Sequence, residues 1–160
     1  TTNYILTRMT YEHLSFEKAL FEAQRAGYAE ADPSMDVDGF DSACKLVILA
    51  NWIFGYRQTL KDVKVTGIRG ITLKDVDEAL KQGCEIKLIA SADEGLQVSP
   101  QQIPRTHPLC VSGVLNAVTF TSQYAGEETI IGRGAGGVET ASAILRDLIS
   151  IKHDISKLYP

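Results

Sequence analysis

Residues 27–45 read Gly27-Tyr-Ala-Glu-Ala-Asp-Pro-Ser-Met-Asp-Val-Asp-Gly-Phe-Asp-Ser-Ala-Cys-Lys45, and this stretch decides how the rest of the chain is arranged. Because Gly27 is a typical helix stop and Pro33 disfavours helical geometry at the residue before it, most of the stretch is predicted to be a loop. A second helix is predicted to begin near residues 36–38, where an aspartate can cap free N–H groups, and to end near Phe54. From Lys45 onward this helix is apolar on nearly every face, so we expect it to be buried.

The loop carries a concentration of negative charge, with five carboxylates in twelve residues. These belong to Glu30, Asp32, Asp36, Asp38 and Asp41. Asp41 precedes Lys45 by four residues, a helical spacing that usually means a surface ion pair worth about 0.2–0.5 kcal/mol, and Asp38 with Asp41 also fits an N-cap with an acidic partner. Like charges beside an apolar helix, and a lysine that loses hydration at the boundary, are instead typical of a functional cleft. The chemistry favours a small polar ligand with an ammonium group.

Composition excludes several classes of protein. The 160 residues are 44% hydrophobic and 22% charged, which predicts a single globular domain over residues 1–160. A net charge of −4 without a basic stripe argues against a nucleic-acid partner, and the longest apolar run is too short to span a membrane. Three widely spaced cysteines predict reduced thiols in a cytoplasmic protein, and the scattered cysteines and histidines predict no metal site.

Periodicity and turn signals predict helices early in the chain and mainly strands later. The predicted helices are 3–9, 16–26 after a Ser15 cap, 73–82 after a Thr72 cap, and 138–151. The predicted strands are 64–68, 85–90, 96–99, 116–123 and 129–131. This order predicts an α+β fold, with a mixed or largely antiparallel sheet and helices packed on one face.

A glycine-rich run, residues 132–137, satisfies the G-x-G-x-x-G pattern of dinucleotide-binding loops. It follows a predicted strand and opens a helix, but the chain ends at Pro160 without the second parallel strand that a nucleotide-binding unit needs. A self-contained nucleotide domain is therefore not predicted. The glycines either let backbone N–H groups approach an anion or cofactor, or form a tight strand-to-helix turn, and the sequence leaves both interpretations open.

Several blocks of the chain resemble homoserine dehydrogenases, and they occur in that family's order. The blocks are Thr-Asn-Tyr-Ile-Leu at 2–6, Gly-Tyr-Ala-Glu-Ala-Asp-Pro at 27–33, Asp-Val-Asp-Gly-x-Asp-x-x-x-Lys-Leu at 36–46, His-Pro-Leu at 107–109, Asn-Ala-Val at 116–118, Gly-Arg-Gly-Ala-Gly at 132–136 and Thr-Ala-Ser-Ala at 140–143. They resemble the part of such an enzyme that follows its nucleotide-binding domain. Since the chain opens on Thr1 without an initiator methionine, we expect an excised domain or a processed fragment.

The resemblance implies an oxidoreductase that interconverts L-aspartate 4-semialdehyde and L-homoserine with NAD(P)H, in the biosynthesis of threonine, methionine and isoleucine. Lys45 matches the family's catalytic lysine, which is expected to stabilise the developing alkoxide and supply a proton. Asp41 is expected to hold Lys45 or a water molecule in line.

The resemblance also implies the residues that bind substrate and cofactor. Glu30 and Asp41 match the substrate-binding carboxylates, Asp36 and Tyr28 fall beside them in the pocket, and Thr1 aligns with a threonine near the substrate. The glycines expected to approach the cofactor are Gly27, Gly134 and Gly136.

The resemblance further implies an organisation that this chain only partly contains. The nucleotide domain supplies most cofactor contacts and a second lysine, so we expect the isolated chain to be inactive or nearly so. The last helix, about 138–151, is expected to pack toward that domain, and the sheet is expected to form a homodimer. Two alternatives remain open: a non-catalytic dimerisation module, and an amino-acid-binding domain that uses Glu30 and Asp41 to bind homoserine or threonine without any effect of the cofactor.

Overall fold

A computed structural model of the protein describes residues 1–134 and 136–158, without the side chains of residues 156 and 158. Within this part of the chain, a 3₁₀ turn at Leu60–Asp62 accompanies a series of helices and strands. In chain order they are α1 (Thr2–Tyr11), α2 (Phe16–Arg25), α3 (Ser34–Val37), α4 (Phe40–Phe54), β1 (Val63–Val65), α5 (Leu73–Lys81), β2 (Cys84–Ala92), β3 (Leu96–Pro104), β4 (Leu115–Ser122), β5 (Gly126–Arg133) and α6 (Gly137–Leu158). The predicted α+β class is confirmed.

Side-chain caps begin α2 and α5 where the sequence predicted. The Ser15 hydroxyl accepts a hydrogen bond from the Lys18 N–H. At α5 the Thr72 hydroxyl accepts from the Asp75 N–H, and the Asp75 carboxylate accepts from the Thr72 N–H at 2.8 Å. This reciprocal capping box satisfies two N–H groups that the helix cannot pair itself.

Three strands form a mixed sheet in the order β1–β3–β2. Strand β1 is parallel to β3, and β2 is antiparallel to β3 from Cys84↔Pro104 to Ala92↔Leu96. Strand β3 was predicted to end at residue 99 but continues through Pro100. Proline is tolerated there because β1 pairs with β3 only as far as Val65↔Val98, so beyond that point β3 has a single neighbouring strand.

The helices pack on the apolar face of this sheet, as predicted, and α1 also contacts Glu85 and Lys87 on the opposite face. Helices α1, α2 and α5 enclose a first apolar cluster, in which Ile5 and Met9 are fully buried. Helix α4 packs on β1 and β3 around a second cluster that includes Val98. Leu88 of β2 contacts both clusters and joins them into one layer.

The prediction that α4 is buried on every side is wrong. Its residues Ala43, Leu46 and Ala50 face the sheet and are buried, whereas Ile48 is 64% exposed and Trp52 is 82% exposed. The apolar composition of α4 therefore supplies two faces, and within the described residues only one of them is covered.

Strands β4 and β5 form a separate two-stranded antiparallel hairpin, in which Val118 pairs with Ile130. Helix α6 follows it and, with 22 residues, extends beyond the predicted range of 138–151. Apolar side chains of α6 such as Leu148 are more than half exposed. In the described part of the chain, no helix combines the length and the apolarity needed to cross a membrane.

Candidate active site

The junction between α3 and α4 carries the acidic residues, and a glycine makes that junction possible. Gly39 precedes α4 with φ +88, and a Cβ there would lie only 3.1 Å from a methyl group of Val65. Asp38 ends α3 instead of capping α4, so its predicted N-cap role is wrong. The left-handed backbone and the close approach both favour glycine, which leaves no side chain at this position to cap the helix.

A second glycine holds the junction from behind. A Cβ at Gly67 would lie 2.3 Å from the Val37 carbonyl oxygen and 2.5 Å from the Cα of Asp38. The N–H of Ile68 donates to the same Val37 oxygen at 2.7 Å. Residues 66–68 therefore press directly on the backbone of the junction and fix the position from which Asp36 and Asp41 extend.

Two of the five carboxylates have structural partners. Asp32 accepts hydrogen bonds from the hydroxyl and the N–H of Ser34, at 2.6 and 3.1 Å, and these bonds lower the pKa of Asp32. Asp38 accepts from the Arg69 guanidinium through both of its oxygens. Asp32 and Asp38 therefore have hydrogen-bond donors within the chain, and their presence in the loop is explained without a ligand.

The predicted pair of Asp41 and Lys45 forms on the first turns of α4. Lys45 Nζ donates to Asp41 Oδ2 at 2.7 Å, and the two side chains are 71% and 42% exposed. The expectation that Lys45 loses its hydration at a buried helix is wrong for this chain, because the surrounding face of α4 is open. Two of the three ammonium hydrogens of Lys45 remain available to another oxygen.

Glu30 and Asp36 differ from the other three carboxylates. Within the described residues, neither side chain forms a hydrogen bond or an ion pair, although Asp36 is half-buried. The backbone at Glu30 is nevertheless held, since the side-chain amide of Gln24 donates to the carbonyl oxygens of Glu30 and Ala31 at 3.0 and 3.3 Å. Residues 27–45 thus contain one exposed ion pair and two carboxylates that accept no hydrogen bond within the described residues.

Thr1 and Tyr28 contact each other, and Thr1 lies near Asp36, Asp41 and Lys45. The Thr1 hydroxyl donates to the Tyr28 carbonyl oxygen, and the Tyr28 ring packs at 4.9 Å from that of Tyr4. Asp36, Asp41 and Lys45 all lie close enough to the backbone nitrogen of Thr1 to act on it electrostatically, so the start of α1 meets α3 and α4 here.

The three predicted glycines lie in two separate places. Gly27 has φ +76 and follows the end of α2, as predicted, with its N–H donated to the Gln24 carbonyl oxygen. Gly134 and Gly136 lie between β5 and α6. No hydrogen bond or ion pair within the described residues links that loop to residues 27–45.

Side chains of this chain fill the space beside Gly134 and Gly136. A Cβ at Gly134 would lie 1.9 Å from the Asn116 amide nitrogen, and one at Gly136 would lie 2.2 Å from a carboxylate oxygen of Glu139. Glu139 also lies 3.9 Å from the Arg133 guanidinium. A carboxylate beside the first turn of α6 would repel a phosphate brought next to Gly136.

A buried polar network that the sequence did not predict lies between α1 and β2. Glu85 and Lys87 alternate in β2 with apolar residues, a pattern that normally indicates a solvent-facing side, yet their exposures are 2% and 5%. A usable signal was present on α1, where the polar residues Asn3, Thr7 and Tyr11 follow one another at intervals of four.

Comparison with known proteins extends these observations. The family model for homoserine dehydrogenase matches residues 1–149. A homoserine dehydrogenase from Methanocaldococcus jannaschii is 51% identical over 158 residues, which are 98% of this chain and 47% of that protein. The crystal structure of Staphylococcus aureus homoserine dehydrogenase at pH 6.0 superposes with a TM-score of 0.86 at 39% identity, over 99% of this chain and 42% of that one.

A further structure, a hyperthermophilic archaeal homoserine dehydrogenase mutant in complex with NADPH, gives a TM-score of 0.79 at 31% identity, over 96% of this chain and 44% of that one. The chain therefore spans about half the length of the relatives it matches. Since the family model covers nearly all of its residues, the chain belongs to the homoserine dehydrogenase family.

Proposed function

We propose that residues 27–45 are the substrate-binding half of the active site of a homoserine dehydrogenase, which interconverts L-aspartate 4-semialdehyde and L-homoserine in amino-acid biosynthesis. One observation carries this proposal: within the described residues, Glu30 and Asp36 form no hydrogen bond or ion pair, in the same acidic stretch as the ion pair of Asp41 and Lys45. Carboxylates without partners can bind an ammonium group, and homoserine and its aldehyde both carry one.

Lys45 supplies the proton in this proposal. While one of its hydrogens is bonded to Asp41, another donates to the aldehyde oxygen of the substrate. As the aldehyde is reduced, this oxygen gains negative charge, which the ammonium stabilises and then neutralises by transferring a proton. Asp41 orients Lys45, Glu30 and Asp36 bind the substrate ammonium, and Thr1 and Tyr28 complete the pocket wall.

A nicotinamide cofactor, NAD(P)H, supplies the hydride when bound. The position of Glu139 beside Gly136 supports a cofactor site that lies mainly outside this chain, with Gly27, Gly134 and Gly136 approaching it only at an edge. We therefore propose that the isolated chain is inactive or nearly so. A standard assay with L-homoserine and nicotinamide cofactor that gave full turnover would contradict this part of the proposal.

The test is a calorimetric titration of the chain with L-homoserine. Glu30→Gln removes a carboxylate without a partner and is expected to abolish detectable binding, and Lys45→Ala is expected to weaken it. Asp32→Asn is the matched control, because it removes the same charge from the same loop at a residue whose partner is Ser34. Equal binding by all four proteins, or loss of binding in the control alone, would contradict the assignment.

The alternative function, a dimerisation module, is supported by the β4–β5 hairpin. A two-stranded hairpin is marginally stable by itself, and the β4–β5 hairpin exposes Ile130 (66%) and Ile131 (49%). This supports a homodimer through the sheet region, whether or not the chain binds substrate. Sedimentation velocity of the chain and of Ile130→Asp tests it: a dimer that dissociates in the variant supports the dimer, and a monomer at all concentrations contradicts it.

A further inference from the structure

Lys87 is a buried cation with two hydrogen-bond acceptors and a counter-ion. Its Nζ donates to the Val111 carbonyl oxygen at 2.7 Å and to Asn3 Oδ1 at 3.2 Å, and it lies 3.1 Å from Glu85 Oε2. The two hydrogen bonds and the ion pair involve three different oxygen atoms. Two of the three belong to elements other than β2, so the side chain connects its strand to α1 and to residues 111–115.

The connection continues along one face of α1. Asn3 Nδ2 donates to the Leu115 carbonyl oxygen at 2.9 Å, and the Thr7 hydroxyl accepts from the Gly113 N–H at 2.9 Å. One helical turn further on, the Tyr11 hydroxyl donates to Glu85 Oε1. Asn3 therefore contacts both Lys87 and the segment that leads into β4.

The two ends of this connection lie at the two halves of the proposed active site. Thr1, at the start of α1, donates to the Tyr28 carbonyl oxygen beside the acidic residues. Beyond Leu115, Asn116 lies against Gly134 in the glycine-rich loop. A shift of residues 111–115 along α1 would change the separation between these two places.

We propose that Lys87 is a positioning residue that fixes residues 111–115 on α1 through Asn3 and the Val111 carbonyl group. The attachment of residues 111–115 to α1 does not depend on the proposed function. Its consequence, that the substrate pocket is positioned relative to the glycine-rich loop, rests on the proposed function. A lysine needed only to neutralise Glu85 would not have to bond Asn3 and Val111 as well.

Hydrogen exchange of the Gly113 amide measures the attachment, because this N–H is bonded to Thr7 and not to Lys87. The Thr66 amide, bonded to Val98 in the sheet at 2.8 Å, serves as the internal reference. In Lys87→Met the exchange of Gly113 is expected to accelerate by about 100-fold relative to Thr66, as expected when one partner of a buried pair is lost. Lys87→Arg keeps the charge and the donors and is expected to restore most of the protection.

A double-mutant cycle tests whether Lys87 acts through Asn3. Asn3→Ala alone accelerates Gly113 exchange, and combined with Lys87→Met it is expected to add little, since residues in one hydrogen-bond network are not additive. The control cycle uses Thr10→Ala, whose hydroxyl donates to Leu6 within α1, and is expected to be additive. If Lys87→Met does not fold, Asn3→Ala and Thr10→Ala are compared instead: Asn3→Ala is expected to accelerate Gly113 relative to Thr66 and Thr10→Ala is not, and equal exchange in the two variants would overturn the inference.

Equal acceleration of Gly113 and Thr66 in Lys87→Met, or additivity with Asn3→Ala, would overturn the inference, because the pair would then only stabilise the fold. The exchange experiment contains no ligand. Failure of the unmodified chain to bind L-homoserine would thus contradict the proposed function and leave the exchange result intact. If both hold, Lys87→Met is also expected to weaken homoserine binding, which Lys87→Arg restores.

Discussion

The chain falls into two regions that differ in how much they bury. Every buried side chain of the described residues lies between Ile5 and Ile103, in the helices, the three-stranded sheet and the loops that connect them. From residue 104 onward, in the β4–β5 hairpin and α6, no described side chain is buried. The first region has its own core, whereas the second presents apolar side chains without one.

This difference parallels the two halves of the proposed active site. The acidic residues and Lys45 lie on the region with a core, held by the contact of Gly67 with the α3–α4 junction. The glycine-rich loop lies in the region without a core. We propose that the first half is preformed within this chain and that the second half is held in place by another polypeptide surface, from a second copy or from a nucleotide domain.

The largest loss of stability is expected when the buried ion pair of Glu85 and Lys87 in the first region is broken. Glu85→Gln leaves Lys87 without its buried counter-ion and is expected to lower the free energy of unfolding by about 3–5 kcal/mol at pH 7. Urea denaturation measures it. A loss below about 1 kcal/mol would mean that the pair lies outside the stable core.

The pH dependence sharpens this prediction. Burial by itself raises the pKa of Glu85, but hydrogen bonds from Tyr11 and Lys87 and the charge of Lys87 outweigh it, so the folded-state pKa lies below its usual value. The unfolded chain then takes up a proton first as the pH falls, which favours unfolding. The stabilisation is present above about pH 4.3, the unfolded value, and is lost as the pH falls through the folded pKa. The difference between the wild type and Glu85→Gln is expected to shrink over that range.

Two leucines compare the regions directly. Leu6 is 1% exposed and Leu148 is 57% exposed. Leu6→Ala is expected to cost about 2–5 kcal/mol of stability, because it leaves a cavity in a core. Leu148→Ala is expected to change stability by less than about 0.5 kcal/mol in the monomeric chain, measured by the same denaturation. Equal losses would abolish the distinction between the regions.

Two glycines test the rigidity of the acidic junction. Gly67→Ala places a Cβ against the Val37 carbonyl oxygen and is expected to cost about 1–3 kcal/mol by overpacking. Gly70→Ala is the matched control, since a Cβ there meets nothing within 4 Å. If homoserine binds, Gly67→Ala is also expected to weaken binding more than Gly70→Ala in calorimetry.

Only a small stability effect is expected at the proposed catalytic residue. Because Lys45 is 71% exposed, its pair with Asp41 contributes only about 0.2–1 kcal/mol, and Lys45→Ala is expected to shift the thermal midpoint by no more than a few degrees. A large loss of stability would mean that Lys45 is a structural residue, and its loss of homoserine binding would no longer be evidence for a role in the site.

Features that depend on neighbouring residues could be predicted from the sequence. The Ser15 and Thr72 caps, the stop at Gly27 and the pair of Asp41 and Lys45 each involve groups within four residues. Local geometry is nearly the same in any fold, so these predictions were confirmed. The sequence also identified the five acidic residues of the loop, but it did not show which of them form hydrogen bonds or ion pairs within the chain.

Contacts between distant residues could not be predicted. The partner of Asp38 is Arg69, 31 residues away, and the partner of Lys87 is Asn3, 84 residues away. Nothing in β2 itself shows that residues 105–113 and α1 cover the side chains of Glu85 and Lys87. The exposure of Ile48 and Trp52 was missed for the same reason, since composition shows that a surface is apolar and not what lies against it.

The sequence by itself determined the α+β class, most element boundaries, and the residues with the chemistry of a substrate site, because each of these depends on backbone preferences and side-chain spacing along one segment. Only the tertiary structure decided which carboxylates lack partners, which lysine is buried, and where the core ends. Those properties depend on which distant segments meet and exclude water, and a burial or an ion pair exists only once both sides are in place.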